Sequence, residues 1–259
     1  MWDADQYQRY SDERSRPFFD LVGRIGSSDP RTVVDLGCGP GTLTATLAER
    51  WPDATVTGID NDPAMLAKAR SQAVGRVAFS AGDIGGWRAE TPVDVIVTNA
   101  ALQWVPDHRG AVMERLVASL APGGWLALQV PGNLHGPHHD AIAQLATSPE
   151  WARLLGTRFR RVDDTGDPVD YADRLDRLGC SVDAWETTYL HILPGSDPVL
   201  EWVKGTALRP ALTALESDPA LQARFCDQLA PMLRAAYPPR RYGTPFPFRR
   251  VFAVARRVD

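Results

Sequence analysis

Asp35-x-Gly37-x-Gly39-x-Gly41 is the segment of this chain best suited to hold a ligand. It follows an apolar run, Thr32–Leu36, and leads into a helical pattern beginning at Thr42. Glycines there let the backbone turn sharply and approach a bound group that a Cβ would exclude. A dinucleotide fingerprint needs a further glycine where Thr42 stands. Pro40 removes a backbone donor that a pyrophosphate would use. Asp35 repels phosphate and favours a cation. The turn therefore suits a nucleoside with a positively charged tail better than a nucleotide. Asp60, 23 residues beyond Gly37, ends a second apolar run, where a carboxylate with two acceptor oxygens can take both ribose hydroxyls. Asp83 in Ala81-Gly82-Asp83-Ile84 can accept an adenine exocyclic amine, with Ile84 beside the ring. Asn99 follows a fourth run. Each has an ordinary reading as well: Asp60 capping a helix, Asp83 capping a turn, Asn99 as a structural hydrogen bonder. Their joint order is what favours a nucleoside site.

These residues need a scaffold that brings strand ends together. Strand signals at Thr32–Leu36, Thr55–Asp60, Arg76–Ser80, Val93–Thr98 and Gly124–Val130 alternate with helical ones at Thr42–Arg50, from Asp62-Pro63 to Ala73, and around Met113, Leu116, Val117 and Leu120. Such alternation predicts βαβ units and a parallel sheet covered on both faces. Residues 131–167 read as irregular and rich in His, Pro and Gly. A helix at Val169–Leu178, a sixth strand at Val182–Leu193, a helical insertion at Pro198–Tyr237 and a seventh strand at Phe246–Arg256 follow. One α/β domain over 1–259 is expected, with its core at about 31–130, 180–193 and 246–257. Lid helices over 1–30 and a helical cap over about 194–245 complete it.

The 259 residues carry 44% apolar and 23% charged side chains and a net charge of −4, values of an ordinary globular chain, which excludes wholesale disorder. Three cysteines do not form a disulfide framework and fit a reducing, cytoplasmic setting. The charged opening segment is unlike a secretory signal. The longest stretch free of Asp, Glu, Lys and Arg, Leu116–His139, is broken by Pro and Gly, so no membrane association is expected. Mild acidity argues against nucleic acid, although Pro239–Asp259 holds six Arg and one Asp. No obligate protein partner is evident. His135, His138 and His139 lack companions at metal-ligand spacing, so a polar loop is preferred and no metal is expected.

The glycine turn with Asp60, Asp83 and Asn99 resembles the class I S-adenosylmethionine-dependent methyltransferases over residues 31–130. The resemblance implies a Rossmann-like, mostly parallel seven-stranded sheet with an antiparallel last strand, and S-adenosylmethionine as cofactor. It further implies Asp35, Gly37, Cys38, Gly39 and Gly41 around the methionine part, Asp60 and Asn61 at the ribose, Asp83, Ile84 and Met65 at the adenine, and Asn99 on the sulfonium side. Arg16, with Tyr7 and Tyr10, is expected in an N-terminal lid, and Gln103 and Trp104 as walls that position the reactants.

Further blocks are similar to the trans-aconitate methyltransferase family: Arg14-Ser15-Arg16-Pro17, Thr98–Val105, Val130–Leu134, Trp202–Pro210, Ala236–Pro239 and Phe246–Phe252. That family monomethylates a carboxylate of a small tricarboxylic acid. The histidine-rich 133–139 segment departs from the pattern. Lys204, Arg209, Tyr237, Arg249 and His135 are the expected acceptor-binding residues, since Arg holds a carboxylate through two parallel hydrogen bonds. A carboxylic acid is already ionised at neutral pH, so no general base is required. Rival readings are a methyltransferase acting on a malonyl carrier thioester or a longer acid, and a nonenzymatic S-adenosylmethionine-binding regulator. A nicotinamide oxidoreductase is disfavoured by Thr42.

Overall fold

A computed structural model describes residues 11–156 and 165–258, with side chains from residue 15 onward. Seven strands form one sheet in the order β3-β2-β1-β4-β5-β7-β6. They are β1 (Thr32–Leu36), β2 (Thr55–Asp60), β3 (Val77–Ala81), β4 (Val93–Asn99), β5 (Leu120–Pro131), β6 (Cys180–Leu193) and β7 (Thr244–Arg257). The first five are mutually parallel, and β7 runs antiparallel to β5. The expected topology is therefore present, with strand order reversing between β1 and β4. The chain divides into two compact units. The first comprises residues up to Pro131, Asp164–Thr187 and Arg250 onward, and the second Gly132–Asp163 and Thr188–Arg249.

In the first unit, α1 (Ser11–Val22) lies against β4 and β5 and buries Phe18 and Leu21. The helix α2 (Thr42–Arg50) follows the glycine turn. Then α3 (Pro63–Arg70) starts as its sequence dictates: Asp62 accepts the Ala64 and Met65 N–H groups and Pro63 occupies the first turn. It stops three residues short of the expected Ala73. α4 (Met113–Ala118) buries Met113, Leu116 and Val117 against a core of Ile96, Leu126, Leu128 and Val251. α7 (Pro168–Arg177), numbered after two helices of the second unit, adds Tyr171 and Leu175 to that core. His108 Nε2 lies 2.8 Å from the Tyr171 hydroxyl beneath it.

The second unit corrects one expectation. Residues 131–167 are not irregular throughout, because α5 (Pro137–Ala146) and α6 (Ala152–Leu155) lie within them. Pro137 sits in the first turn of α5, and His138, Ala141, Ile142 and Ala146 turn inward. The remaining helices are α8 (Pro198–Lys204), α9 (Arg209–Ala214) and α10 (Pro219–Ala236). α10 packs on α5 and α8. Trp151 meets Phe225 edge-on at 5.0 Å and donates to Gln228 at 2.7 Å. Trp202, Phe246, Phe248 and His191 make an aromatic cluster. No helix among the described residues is long and apolar enough to cross a membrane.

Candidate active site

The carboxyl ends of β1, β2, β3 and β4 lie side by side in the register of the sheet. Asp35 pairs with Gly58 and Val97, Asp60 with Ala81, and Asn99 with Gln129. Ligands bind outside such ends where the strand order reverses. The turn after β1 is held by main-chain bonds: the N–H groups of Gly37 and Cys38 both donate to the Ile59 carbonyl, at 2.7 and 3.0 Å. Gly37 has φ +78°, and a Cβ there would overlap Ala101 and press on Ile84. Gly39, at φ +55°, has no described residue within 4 Å of where a Cβ would stand. So Gly37 is required by packing, whereas Gly39 leaves room for something outside the protein to approach. Phe79 fills the underside of the turn, where it excludes any Cβ on Gly41 or Gly58.

Asp60 is the hinge of the site. Its Oδ2 accepts the Gly39 N–H at 2.8 Å, and its Oδ1 accepts the Asp62 N–H at 2.9 Å. Each oxygen keeps a lone pair for a ligand. Asp35 is buried, and its Oδ2 takes the Thr44 hydroxyl at 2.6 Å, tying β1 to the first turn of α2. Burial raises its pKa to about 6; the Thr44 bond pulls the other way, and the Asp60 charge adds to the rise. Cys38 is buried and its thiol is pushed far up, first by burial and then by the charges of Asp35 and Asp60. It is no nucleophile at neutral pH.

Asp83 stands exposed just past β3, while Ile84 is buried against the turn at Gly37. Met65 is buried in α3 beside Leu66 and Ala69, and Asn61 is exposed. On the far side of β1, Asn99 Oδ1 and Gln103 Oε1 are buried without a hydrogen-bond partner among the described residues. Gln103 Nε2 donates to the Ala100 carbonyl at 2.6 Å. Ala100 has φ +54°, a conformation costly for a residue with a Cβ, and its N–H is fixed to the Gln129 carbonyl at 2.9 Å. Trp104 is exposed. Arg16 is exposed on α1, 4.0 Å from Asp20. Tyr7 and Tyr10 lie outside the described residues.

The expected acceptor residues fall in the second unit. Lys204 Nζ is 2.6 Å from Glu201 Oε1, and Arg249 Nη1 donates to the Gly132 carbonyl at 3.1 Å. Arg209 is half-buried at the start of α9, and His135 is exposed. The Tyr237 hydroxyl is buried, 2.8 Å from His138 Nδ1, and takes the His138 N–H at 3.3 Å. His138 Nε2 meets the Asn133 amide at 3.1 Å. Burial, then His139, lowers the His138 pKa to about 3. His138 thus belongs to a packed network rather than to the expected polar loop. No group of three metal-ligand side chains occurs among the described residues.

Sequence reasoning missed Phe79, Gly58 and Gln129. Gln129 carried a usable signal, a lone amide inside the apolar run Leu126–Val130.

An open approach at Gly39, a two-oxygen acceptor at Asp60 and an unpartnered acceptor at Asn99 suit a nucleoside with a cationic tail, and so fit S-adenosylmethionine. Residues 33–124 match the methyltransferase domain family. A putative sarcosine dimethylglycine methyltransferase from Galdieria sulphuraria has the same fold: TM-score 0.57 at 15% identity, covering 100% of this chain and 92% of that one. Fold, turn and domain match define a class I methyltransferase that uses S-adenosylmethionine. The chain is 49% identical to the trans-aconitate 2-methyltransferase of Streptomyces coelicolor over 100% of its length and 87% of the relative's. It is 50% identical to that of Mycobacterium sp. (strain KMS) over 99% of both. The chain belongs to the trans-aconitate 2-methyltransferase family.

Proposed function

We propose that this enzyme transfers a methyl group to one carboxylate oxygen of trans-aconitate, giving a monomethyl ester and S-adenosylhomocysteine. The observation that carries the reading is identity near one half, over essentially the whole chain, to relatives bearing that name. The substrate is a small free polycarboxylate, and the reaction is assigned to the cytoplasm.

The cofactor, when bound, supplies an electrophilic methyl on a sulfonium. Delivered to an acceptor carboxylate oxygen, that methyl would give the ester and leave the cofactor as a neutral thioether. The chain's residues have three tasks. Asp60, already fixed by Gly39 and Asp62, takes the ribose hydroxyls with its remaining lone pairs. Asp35 supplies negative charge beneath the methionine ammonium, and Asp83 with Ile84 and Met65 bounds the adenine. The buried, unpartnered oxygens of Asn99 and Gln103 are assigned to the positive sulfonium side. Gln103 and Trp104 wall the reactants, and Arg16 belongs to the lid.

No side chain has to remove a proton, because the acceptor is ionised at neutral pH. Alignment and exclusion of water then supply the rate, and good attack geometry alone is worth up to about 7–11 kcal/mol. Lys204, Arg209, Arg249, Tyr237 and His135 are assigned to the carboxylates that do not react, since an oxygen tied to a cation is a poor nucleophile. Incubation with methyl-labelled S-adenosylmethionine and a panel of di-, tri- and long-chain carboxylic acids tests this. Base-labile label on trans-aconitate and not on long-chain acids is expected; the opposite pattern overturns it.

A further inference from the structure

Glycine at position 58 is not demanded by its own backbone. It stands inside β2, where glycine weakens a strand, and its φ lies outside the left-handed range. What excludes a side chain there is the ring of Phe79, its partner in the register with β3. A Cβ on Gly58 would stand 2.6 Å from Phe79 Cδ1 and 2.7 Å from Cε1. The same ring edge continues to the ligand turn. A Cβ on Gly41 would stand 2.8 Å from Cε1 and 2.7 Å from Cζ. Ala69 of α3 closes the other side, 2.9 Å from that second position. Phe79 itself is only half-buried. One ring edge therefore spans from the interior of β2 to the last residue of the glycine turn, and both residues it touches are bare of side chain.

We propose that Phe79 is a positioning residue for S-adenosylmethionine: its ring edge, wedged between Gly58 and Gly41, sets the height of the glycine turn over β2. This rests on the reading of the turn as the cofactor's seat, and not on which acid is methylated. Gly37, Gly39 and Gly41 are all in the left-handed region, so the turn has much backbone freedom to lose when it is ordered. Main-chain bonds to Ile59 and the Asp60 carboxylate fix its first half, from Gly37 to Gly39. Gly41 bonds within its own turn and helix instead: its N–H donates to the Cys38 carbonyl, and its carbonyl accepts the Ala45 N–H. Contact with the ring is what rests that end of the turn on the sheet. Such contact weakens steeply once a gap of about 0.5–1 Å opens, so the support depends on ring size. With a smaller side chain the turn becomes ordered on ligand binding, and affinity falls by the entropy of that ordering.

The test is calorimetric titration of the full-length protein with S-adenosylhomocysteine, for Phe79→Val, Gly58→Ala and the double variant. Valine keeps a strand-forming side chain and removes the ring edge. Alanine at 58 collides with the ring in wild type. In the double variant it enters space the ring has left, with Cys38 Cβ as its remaining close neighbour at 3.0 Å. Each single change is expected to weaken S-adenosylhomocysteine about tenfold or more. The double variant should bind no worse than the weaker single variant, because both act on one contact; losses that multiply overturn the wedge. In turnover, KM for S-adenosylmethionine should rise far more than kcat falls, while KM for trans-aconitate stays within about threefold. An equal rise in both KM values means general loosening and overturns the proposal. Urea unfolding is measured alongside: folded variants that lose stability but keep S-adenosylhomocysteine affinity within about threefold show packing alone and also overturn it. If Phe79→Val does not fold, Phe79→Leu decides by the same affinity criterion. A wild type that binds no S-adenosylhomocysteine overturns the cofactor's seat together with the wedge, whereas failure confined to the variants leaves that seat standing.

Discussion

The Asp60 carboxylate and the Gly39 N–H are joined by a 2.8 Å hydrogen bond across 21 residues of chain. That bond fixes the turn after β1 to the end of β2 before any ligand arrives. Asp60→Ala removes it together with both acceptors offered to the ribose. Charged hydrogen bonds are worth about 1.5–3 kcal/mol each, so affinity for S-adenosylmethionine should fall about 100-fold or more. Asp60→Asn, with one acceptor left, should fall less. Calorimetric titration reads both; a loss below about threefold in the alanine variant removes Asp60 from the site.

The two glycines of the turn should fail differently. Gly37→Ala meets Ala101 and must also hold φ +78°. Strain and overpacking together should cost about 2–4 kcal/mol of stability, read from urea unfolding. Gly39→Ala meets no neighbour, so only the left-handed strain remains, about 1–2 kcal/mol. Its effect should appear in cofactor affinity instead, as a drop of about tenfold or more from a methyl group placed where the nucleoside approaches. Equal stability losses in the two variants with equal affinities would contradict this division.

Cofactor binding should depend on Asp35 ionisation. Its pKa stands at about 6 in the folded chain against 3.8 as an ordinary carboxyl. Folding stability from this group is therefore fully present below 3.8 and is lost as pH rises through 6, up to about 3 kcal/mol. A cationic ligand favours the ionised form, so affinity should rise from pH 5 to 7 and then level off, with a proton released on binding below pH 6. Titrations in two buffers of different ionisation heat count that proton. Asp35→Asn should flatten the profile; if it keeps the wild-type slope, another group is responsible.

His138 acts in the opposite direction. Its pKa falls from 6.5 to about 3 on burial, so its contribution is present above pH 6.5 and is lost as pH falls toward 3. Fully expressed, the shift is worth about 4–5 kcal/mol. Between pH 7 and pH 4 the wild type should lose more stability than His138→Gln, measured by thermal unfolding. Identical pH slopes would mean that the imidazole is solvated.

Strand limits at Thr32–Leu36 and Thr55–Asp60, and the start of α3 at Asp62-Pro63, were legible because apolar runs and a capping acid are local signals. The glycine turn was legible for the same reason. α5 was not: Pro137, two histidines and a glycine before it read as loop, yet the helix is held by burial of His138 against Tyr237 and Phe246, about a hundred residues away in sequence. The placing of Gln129 beside Arg250 was obscured likewise. Their adjacency depends on the antiparallel pairing of β5 with β7, which no short window of sequence contains. The basic residues singled out from the sequence, such as Lys204, are partly engaged in ion pairs close by in the chain.

Because Asp60 is anchored at both oxygens by the main chain, it cannot swivel to follow a misfitting sugar. Under the proposed ribose contact, a nucleoside with one hydroxyl missing or inverted meets an acceptor that stays where it is, and loses that hydroxyl's bond. The turn is in this sense a stencil, and the selectivity proposed for the sugar would be inherited from a backbone already set in place.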